Sequence, residues 1–159
     1  EVNEVYEFIK YNLNICGLSR HYTIDADYNL LLLKDYKDVN DNCKLILIGD
    51  GELKGEICRL IHEFQLDKSV LLLGNKLDVQ NYLQAADCFL FPSLWEGLGM
   101  SVIEAQAAGL KCICSTAVPN EVDITGLCSF IPLQNISGWI KSALSIRYKR
   151  IDTSQKVKK

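Results

Sequence analysis

No apolar run in this chain reaches the roughly 18 residues that a membrane-spanning helix needs, and no signal peptide opens it. It has no long acidic or basic block. A formal net charge of -3 argues against a nucleic-acid partner. Only the tail from Lys156 to Lys159 is basic, and it reads as a solvated, frayed end. The seven cysteines include no C-x-x-C pair. Their odd number and their placement inside apolar runs, as in Cys88-Phe89-Leu90-Phe91, exclude a disulfide scaffold or zinc site and suggest a reducing compartment. Histidine is nearly absent, with only His21 and His62. His62 falls off the apolar stripe of its helix and reads as solvent-facing. No local signature supports a Ser-His-Asp or Cys-His nucleophile.

The 159 residues fit one domain. A composition of 48% apolar and 23% charged residues is ordinary for a globular chain. The chain begins at Glu1 rather than at methionine, which suggests an excised or partial reading frame.

From about Asn42 onward, apolar runs alternate with helical patterns. Lys44–Ile48, Ser69–Leu73, Asp87–Phe91, Lys111–Cys114 and Leu127–Ile131 read as strands, the first of them buried on both faces. Between them lie helical stretches. Glu52–Gln65 carries Leu53, Ile57, Leu60, Ile61 and Phe64 at the helical period. Asp78–Ala86 takes Asp78 as N-cap. Gly99–Ala108 ends at the C-cap Gly109, and Ser137–Ile146 closes the series. Trp139 reads as core packing. In the less legible first 40 residues, Glu4–Asn12 and Asn29–Val39 read as helices. The expected fold is α/β, a Rossmann-like parallel sheet with helices on both faces, built from right-handed βαβ units. Ligands bind such sheets beyond the carboxyl ends of the strands. The loops Gly49–Glu52, Gly74–Asp78, Pro92–Met100 and Ser115–Glu121 are therefore the candidate site.

The densest string is Phe91-Pro92-Ser93-Leu94-Trp95-Glu96-Gly97-Leu98-Gly99-Met100-Ser101-Val102-Ile103-Glu104-Ala105-Gln106-Ala107-Ala108-Gly109. It reads as strand end, loop and helix start. Gly97 and Gly99 let backbone approach a ligand. The first helical amides, near Gly99 to Ser101, lie at the positive end of a helix dipole and suit a diphosphate. Glu96 before the helix and Glu104 inside it are acceptors for sugar or ribose hydroxyls. Two glutamates eight apart mean little alone; the whole string after a strand carries the signal. Trp95 either packs over a ligand or anchors its loop. Gly49-Asp50-Gly51 is not a dinucleotide fingerprint, because Lys54 stands where the third glycine belongs.

The pattern P-S-x-x-E-G-x-G-x-x-x-x-E-A-x-A-x-G resembles the E-x7-E signature of retaining glycosyltransferases of the GT-B fold, family GT4. Further likeness lies in Lys44 to Leu53, Leu73 to Val79, Leu83 to Ser93 and Asn120 to Thr125. The resemblance spans roughly residues 42–146, with 1–40 divergent and 150–159 a tail. It implies that the whole chain, 1–159, is a single nucleotide-sugar-binding domain, the C-terminal half of a GT-B fold. The donor would be a nucleotide diphosphate sugar, with a UDP-sugar the expected form and no bound metal or other cofactor. Glu96 would hold the donor sugar and stand as the catalytic residue. The amides of Gly97, Leu98, Gly99 and Met100 would meet the diphosphate, and Glu104 the ribose. Gly74, Asn75, Lys76 and Leu77 would face the base, and Gly49 and Gly51 would leave it room. The implied partners are the missing N-terminal GT-B domain and a glycan or lipid-linked acceptor in polysaccharide or lipopolysaccharide synthesis. The implied place is the cytoplasm, peripheral to the inner membrane face in a full-length protein.

One departure stands out. The family's G-R-F-x-x-x-K-N supplies an arginine and a lysine to the diphosphate, with the lysine five residues before a Leu-Leu pair. Starting that pair at 29, 30 or 31 offers Ser19, Arg20 or His21 for the arginine and Ile24, Asp25 or Ala26 for the lysine. No register supplies the lysine. Alternatives to a donor-binding enzyme domain are therefore an inactive remnant or interaction module and, less favoured, a flavodoxin-like or receiver-type domain. The chain alone is expected to be inactive.

Overall fold

The structure, a computed structural model, describes residues 13–18, 24–94 and 97–146, with side chains described from Tyr28 onward. The readings made for Glu4–Asn12, His21, Trp95, Glu96 and the basic tail lie outside the described residues.

Among the described residues six strands form one sheet: β1 (Leu13–Leu18), β2 (Cys43–Ile48), β3 (Val70–Leu72), β4 (Cys88–Phe91), β5 (Lys111–Ser115) and β6 (Cys128–Ile131). Their order is β3-β2-β1-β4-β5-β6, and every pairing is parallel. The helices are α1 (Ile24–Lys37), α2 (Lys54–Glu63), α3 (Val79–Ala85), α4 (Met100–Ala107) and α5 (Ile136–Leu144), with a 3-10 turn at Asn120–Val122.

Strand side chains alternate between two cores, as the two-residue period demands. Cys43, Leu45, Leu47, Cys88, Leu90 and Ile113 pack on one face under α1, α2 and α5, with Leu30, Leu33, Ile57, Ile61 and Trp139. Ile46, Ile48, Phe89, Phe91, Cys112 and Cys114 pack on the other under α3 and α4, with Leu83, Val102 and Ala105. Both faces of the central strands are dry, which is why these strands read as unbroken apolar runs. Burial pushes the Cys43 thiol up to about 11. Trp139 is fully buried, as expected; its Nε1 donates to the Pro132 carbonyl at 3.1 Å, and its ring meets Tyr28 edge-on at 5.7 Å. The Asn135 side chain caps α5 by accepting from the Gly138 amide at 3.0 Å.

Three sequence readings need correction. The central strand, β1, was not read from the sequence at all. Asn14 and Gly17 interrupt its apolar run. The helix expected at Asn29–Val39 starts at Ile24 and stops at Lys37, because its first turn carries Asp25 and Asp27 rather than an apolar stripe. Asp78 precedes α3 but does not cap it. Its backbone sits at φ -102°, ψ 41°, outside the extended region a capping side chain needs, and its carboxylate accepts from Asn81 Nδ2 at 3.2 Å instead.

Candidate functional site

The sheet order reverses between β1 and β4, and the loops after β2, β3, β4 and β5 all leave the same carboxyl edge. That crevice is the expected ligand site of an open parallel sheet. A cleft of about 720 Å³ lies there, within the size range of small-molecule sites. One wall is the end of β2, Ile48 and Gly49. Another is the β3–α3 connection, Asn75, Lys76 and Leu77, continued by Val79, Gln80 and Leu83 of α3. The third is α4, through Ser101, Glu104 and Ala107.

Two backbone devices hold these walls. Gly74, at φ 68°, occupies a left-handed conformation, and its carbonyl accepts from the Gly49 amide at 3.0 Å. The β3 loop is thereby tied to the β2 turn. Beside it, Lys54 Nζ lies 3.6 Å from Asp50 Oδ2 across the turn that leads into α2. Gly99, at φ 60°, precedes α4, a conformation that a side chain would strain. The first intrahelical bond runs from the Val102 amide to the Gly99 carbonyl at 2.9 Å, so the amides of Met100 and Ser101 come before it. Ser101, Glu104 and Ala107, spaced by three, share the face of α4 toward the cleft. At the far end, the Gly109 amide bonds the Gln106 carbonyl at 2.9 Å and the Leu110 amide the Ala105 carbonyl at 3.1 Å, closing the helix at the expected glycine.

A second network fastens the other side of α4. Gln106 is fully buried. Its Nε2 donates to the Val122 carbonyl at 2.8 Å, and its Oε1 accepts from Thr125 Oγ1 at 2.7 Å and the Thr125 amide at 3.2 Å. Asp123 Oδ1 accepts from the amides of Gly126, Leu127 and Cys128. Ser115 Oγ donates to the Ser93 carbonyl, joining the end of β5 to the turn that leads into α4. The Asn120–Thr125 stretch is thus a strap clamped to α4.

Of the residues singled out from sequence, Gly49, Asn75, Lys76, Leu77 and Glu104 come together in the cleft. Gly74 and Gly51 shape its floor turns without lining it, the Gly51 amide donating to Asp50 Oδ1 at 3.0 Å. Gly97, Leu98, Gly99 and Met100 form the approach to α4 outside the lining, with Leu98 and Met100 exposed. Ile48, Val79, Gln80, Leu83 and Ala107 also line the cleft and were missed, and Ser101 was singled out only for its amide. Ser101 could have been found from its three-residue offset to Glu104; nothing in the sequence singles out Gln80 or Val79. His62 is exposed on α2, its Nδ1 3.4 Å from Asp67 Oδ1, and is not part of the cleft. Among the described residues no cluster of three or more His, Cys, Asp or Glu is placed to hold a metal ion. No helix among them is long and apolar enough to cross a membrane.

Comparison with known proteins bears on the family and the fold. The chain is 42% identical over 88 residues to the UDP-Gal:alpha-D-GlcNAc-diphosphoundecaprenol alpha-1,3-galactosyltransferase of Escherichia coli, covering 49% of this chain and 22% of that protein. It is 36% identical over 124 residues to the putative glycosyltransferase EpsF of Bacillus subtilis, covering 77% and 32%. The chain therefore spans less than a third of the length of these relatives. Among solved structures, TarM of S. aureus superposes with a TM-score of 0.77 at 20% identity, over 85% of this chain and 28% of that one; that crystal contained fondaparinux, alpha-GlcNAc-glycerol and UDP. WaaG, a glycosyltransferase involved in lipopolysaccharide biosynthesis, superposes at 0.76 with 18% identity, over 91% and 41%. The Rossmann-like fold is that of GT-B glycosyltransferase structures. The family model for glycosyl transferases group 1 matches residues 23–126, the span that holds α1 through the clamped strap and every wall of the cleft, and the chain belongs to that family.

Proposed function

We propose that this chain binds the nucleotide diphosphate sugar of a retaining, GT4-type glycosyltransferase, as the C-terminal half of a GT-B fold. One observation carries the reading. Two loops and the helix α4 bring Gly49, Asn75–Leu77 and Glu104 into one nucleoside-sized cleft beside the amino end of α4. In this reading Glu104 accepts from the ribose hydroxyls. The backbone of Gly74 to Leu77 meets the base, and the turn at Gly49 and Gly51 admits it. The amides of Gly97 to Met100 face the diphosphate at the positive helix end. Glu96 holds the sugar. Donor chemistry is supported by the UDP in the TarM crystal and the UDP-Gal of the Escherichia coli relative. Relatives in Vi polysaccharide and amylovoran biosynthesis support a role in surface polysaccharide synthesis. An N-terminal half would supply the acceptor site, and the full-length protein would work at the cytoplasmic membrane face.

The test is ligand-induced stabilisation. UDP or a UDP-sugar at a hundred times its Kd raises stability by about 2.7 kcal/mol, and Glu104→Ala abolishes the rise. A panel of UDP, GDP and ADP, free and sugar-linked, giving no shift at tens of millimolar refutes donor binding.

A second reading, a fold kept without transfer activity, is favoured by one feature: the lysine position of the diphosphate grip falls on Ile24, Asp25 or Ala26. An aspartate there would repel a leaving diphosphate. Fusion to a related N-terminal half, with and without Asp25→Lys or Ala26→Lys, separates the two. Recovered transfer refutes the inactive scaffold.

A further inference from the structure

Three cysteines meet on one face of the sheet, away from the cleft. Cys112 and Cys114, two apart on β5, point the same way and are buried with Val102 and Ala105 of α4. Cys128, on β6 at the end of the strand order, is half-buried and packs against the same core. All three are free thiols. The ladder register makes Cys128 the direct partner of Cys112. Paired strands run about 4.8 Å apart, inside the Cα range of roughly 4.4–6.8 Å that a disulfide spans. Cys114 stands two residues further along β5, which puts its Cα roughly 8 Å from that of Cys128, outside the range. Cys112 is therefore the partner that the register allows. Its sulfur is held only weakly, with the Val102 carbonyl at 3.9 Å and the Leu110 carbonyl at 3.7 Å. The three thiols are not equivalent. Hydrogen bonds from Cys112 and Cys114 favour the Cys128 thiolate and lower its pKa, against burial and the Asp123 carboxylate. The same contacts, together with burial, push Cys112 and Cys114 up. The thiol of the three that is most open to solvent is thus also the one that ionises first, and the thiolate is the nucleophile.

We propose that Cys128 and Cys112 form an oxidisable dithiol site, at which a hydroperoxide converts the pair into a disulfide bridging β5 and β6. The Cys128 sulfur attacks one peroxide oxygen, and the O–O bond breaks. The leaving oxygen takes up a proton and departs as water or an alcohol, and Cys128 becomes a sulfenic acid. The Cys112 sulfur then attacks the Cys128 sulfur. The S–O bond breaks, and hydroxide leaves with the Cys112 proton as water. In all, the thiol pair gives up two electrons and one hydroperoxide accepts them. A thiol reductant reverses the bond, so the site is a reversible modification rather than a scaffold bridge. It stands independently of the donor-binding reading.

The test is brief exposure of the whole chain to hydrogen peroxide, blocking of the remaining thiols under denaturing conditions, and peptide mass mapping without reductant. The expected result is the loss of two blockable thiols, recovered as one linked pair of peptides that carries Cys112 and Cys128, is lighter by two hydrogens and is separated by dithiothreitol. Cys128→Ser removes the link. Cys112→Ser leaves Cys128 as a sulfenic acid that dimedone captures. Circular dichroism checks the fold of both variants, and the wild-type map alone is decisive if either fails to fold. Oxidation confined to exposed Cys58, a link from Cys128 to any other cysteine, or Cys128 carried on to sulfinic acid with Cys112 still free overturns the proposal.

Discussion

Replacing Gln106 by leucine probes the clamp between α4 and the strap that follows β5. Leucine keeps the bulk and removes every polar contact. The Thr125 amide and hydroxyl lose the Oε1 acceptor at 3.2 and 2.7 Å, and the Val122 carbonyl loses the Nε2 donor at 2.8 Å. The Val122 carbonyl keeps the Ile124 amide at 3.0 Å, so its loss is about one ordinary hydrogen bond. The Thr125 amide is buried, and removing its acceptor costs about 1–3 kcal/mol. Added apolar burial returns about 1 kcal/mol. The net is roughly 1–3 kcal/mol, a lowering of Tm by roughly 2–12 °C for a domain of this size. Urea and thermal unfolding followed by circular dichroism measure it. Thr125→Val removes only the hydroxyl and should cost about 1 kcal/mol. Because both changes delete the same Oγ1–Oε1 bond, the double variant should fall short of additivity by about 0.5–1.5 kcal/mol. A Gln106→Leu cost within about 0.5 kcal/mol of zero, or full additivity with Thr125→Val, would refute the clamp.

Other substitutions test other parts. Trp139→Ala opens the core beneath α5 and breaks the bond to the Pro132 carbonyl; a loss of about 3–5 kcal/mol is expected in the same unfolding assay. Asn135→Ala removes the α5 cap and should cost about 1 kcal/mol. Gly74→Ala makes only ordinary contacts, with Asp50 Oδ2 and Lys54 Nζ both 3.8 Å from the added carbon, so only its φ of 68° is penalised. About 1 kcal/mol of stability loss is expected, with weaker nucleotide binding in a titration. Among the described thiols, exposed Cys58 should react with iodoacetamide at pH 8 while buried Cys43, Cys88, Cys112 and Cys114 wait for unfolding, as peptide mass mapping would show. For Cys43 the sign follows from its thiol being raised to about 11: the buried neutral form stabilises the fold below the unfolded value near 9, and that contribution is lost as pH rises from 9 through 11.

The parts legible in sequence are those where one physical signal dominates. β2, β4 and β5 are dry on both faces, so each is a bare apolar run. Gly99 and Gly109 bracket α4 because both take positive φ, at 60° and 77°. What escaped sequence reading depends on contacts that are distant in the chain. β1 owes its strand to pairing with β2 and β4 on either side, which outweighs Asn14 and Gly17. Asp78 looks like a cap by residue type, but the loop geometry aims its carboxylate at Asn81. Gln106 looks like a surface residue of a helix until the strap, 16 to 19 residues onward, folds over it. Glu104 was legible as part of a string, and Ser101 only as a member of a face.

The position of β1 has a consequence for how the sheet is assembled. β2 and β3 form one parallel pair, β4, β5 and β6 a parallel triple, and among the described residues β1 is the strand that joins them. The matched family span begins at residue 23, after β1, so a fragment cut to that span holds two sheets with an unfilled slot between them. Each slot edge would expose a row of unpaired amides and carbonyls, open to any passing strand. Without β1 between them, β2 and β4 would each keep an unpaired edge that β1 covers in the intact sheet.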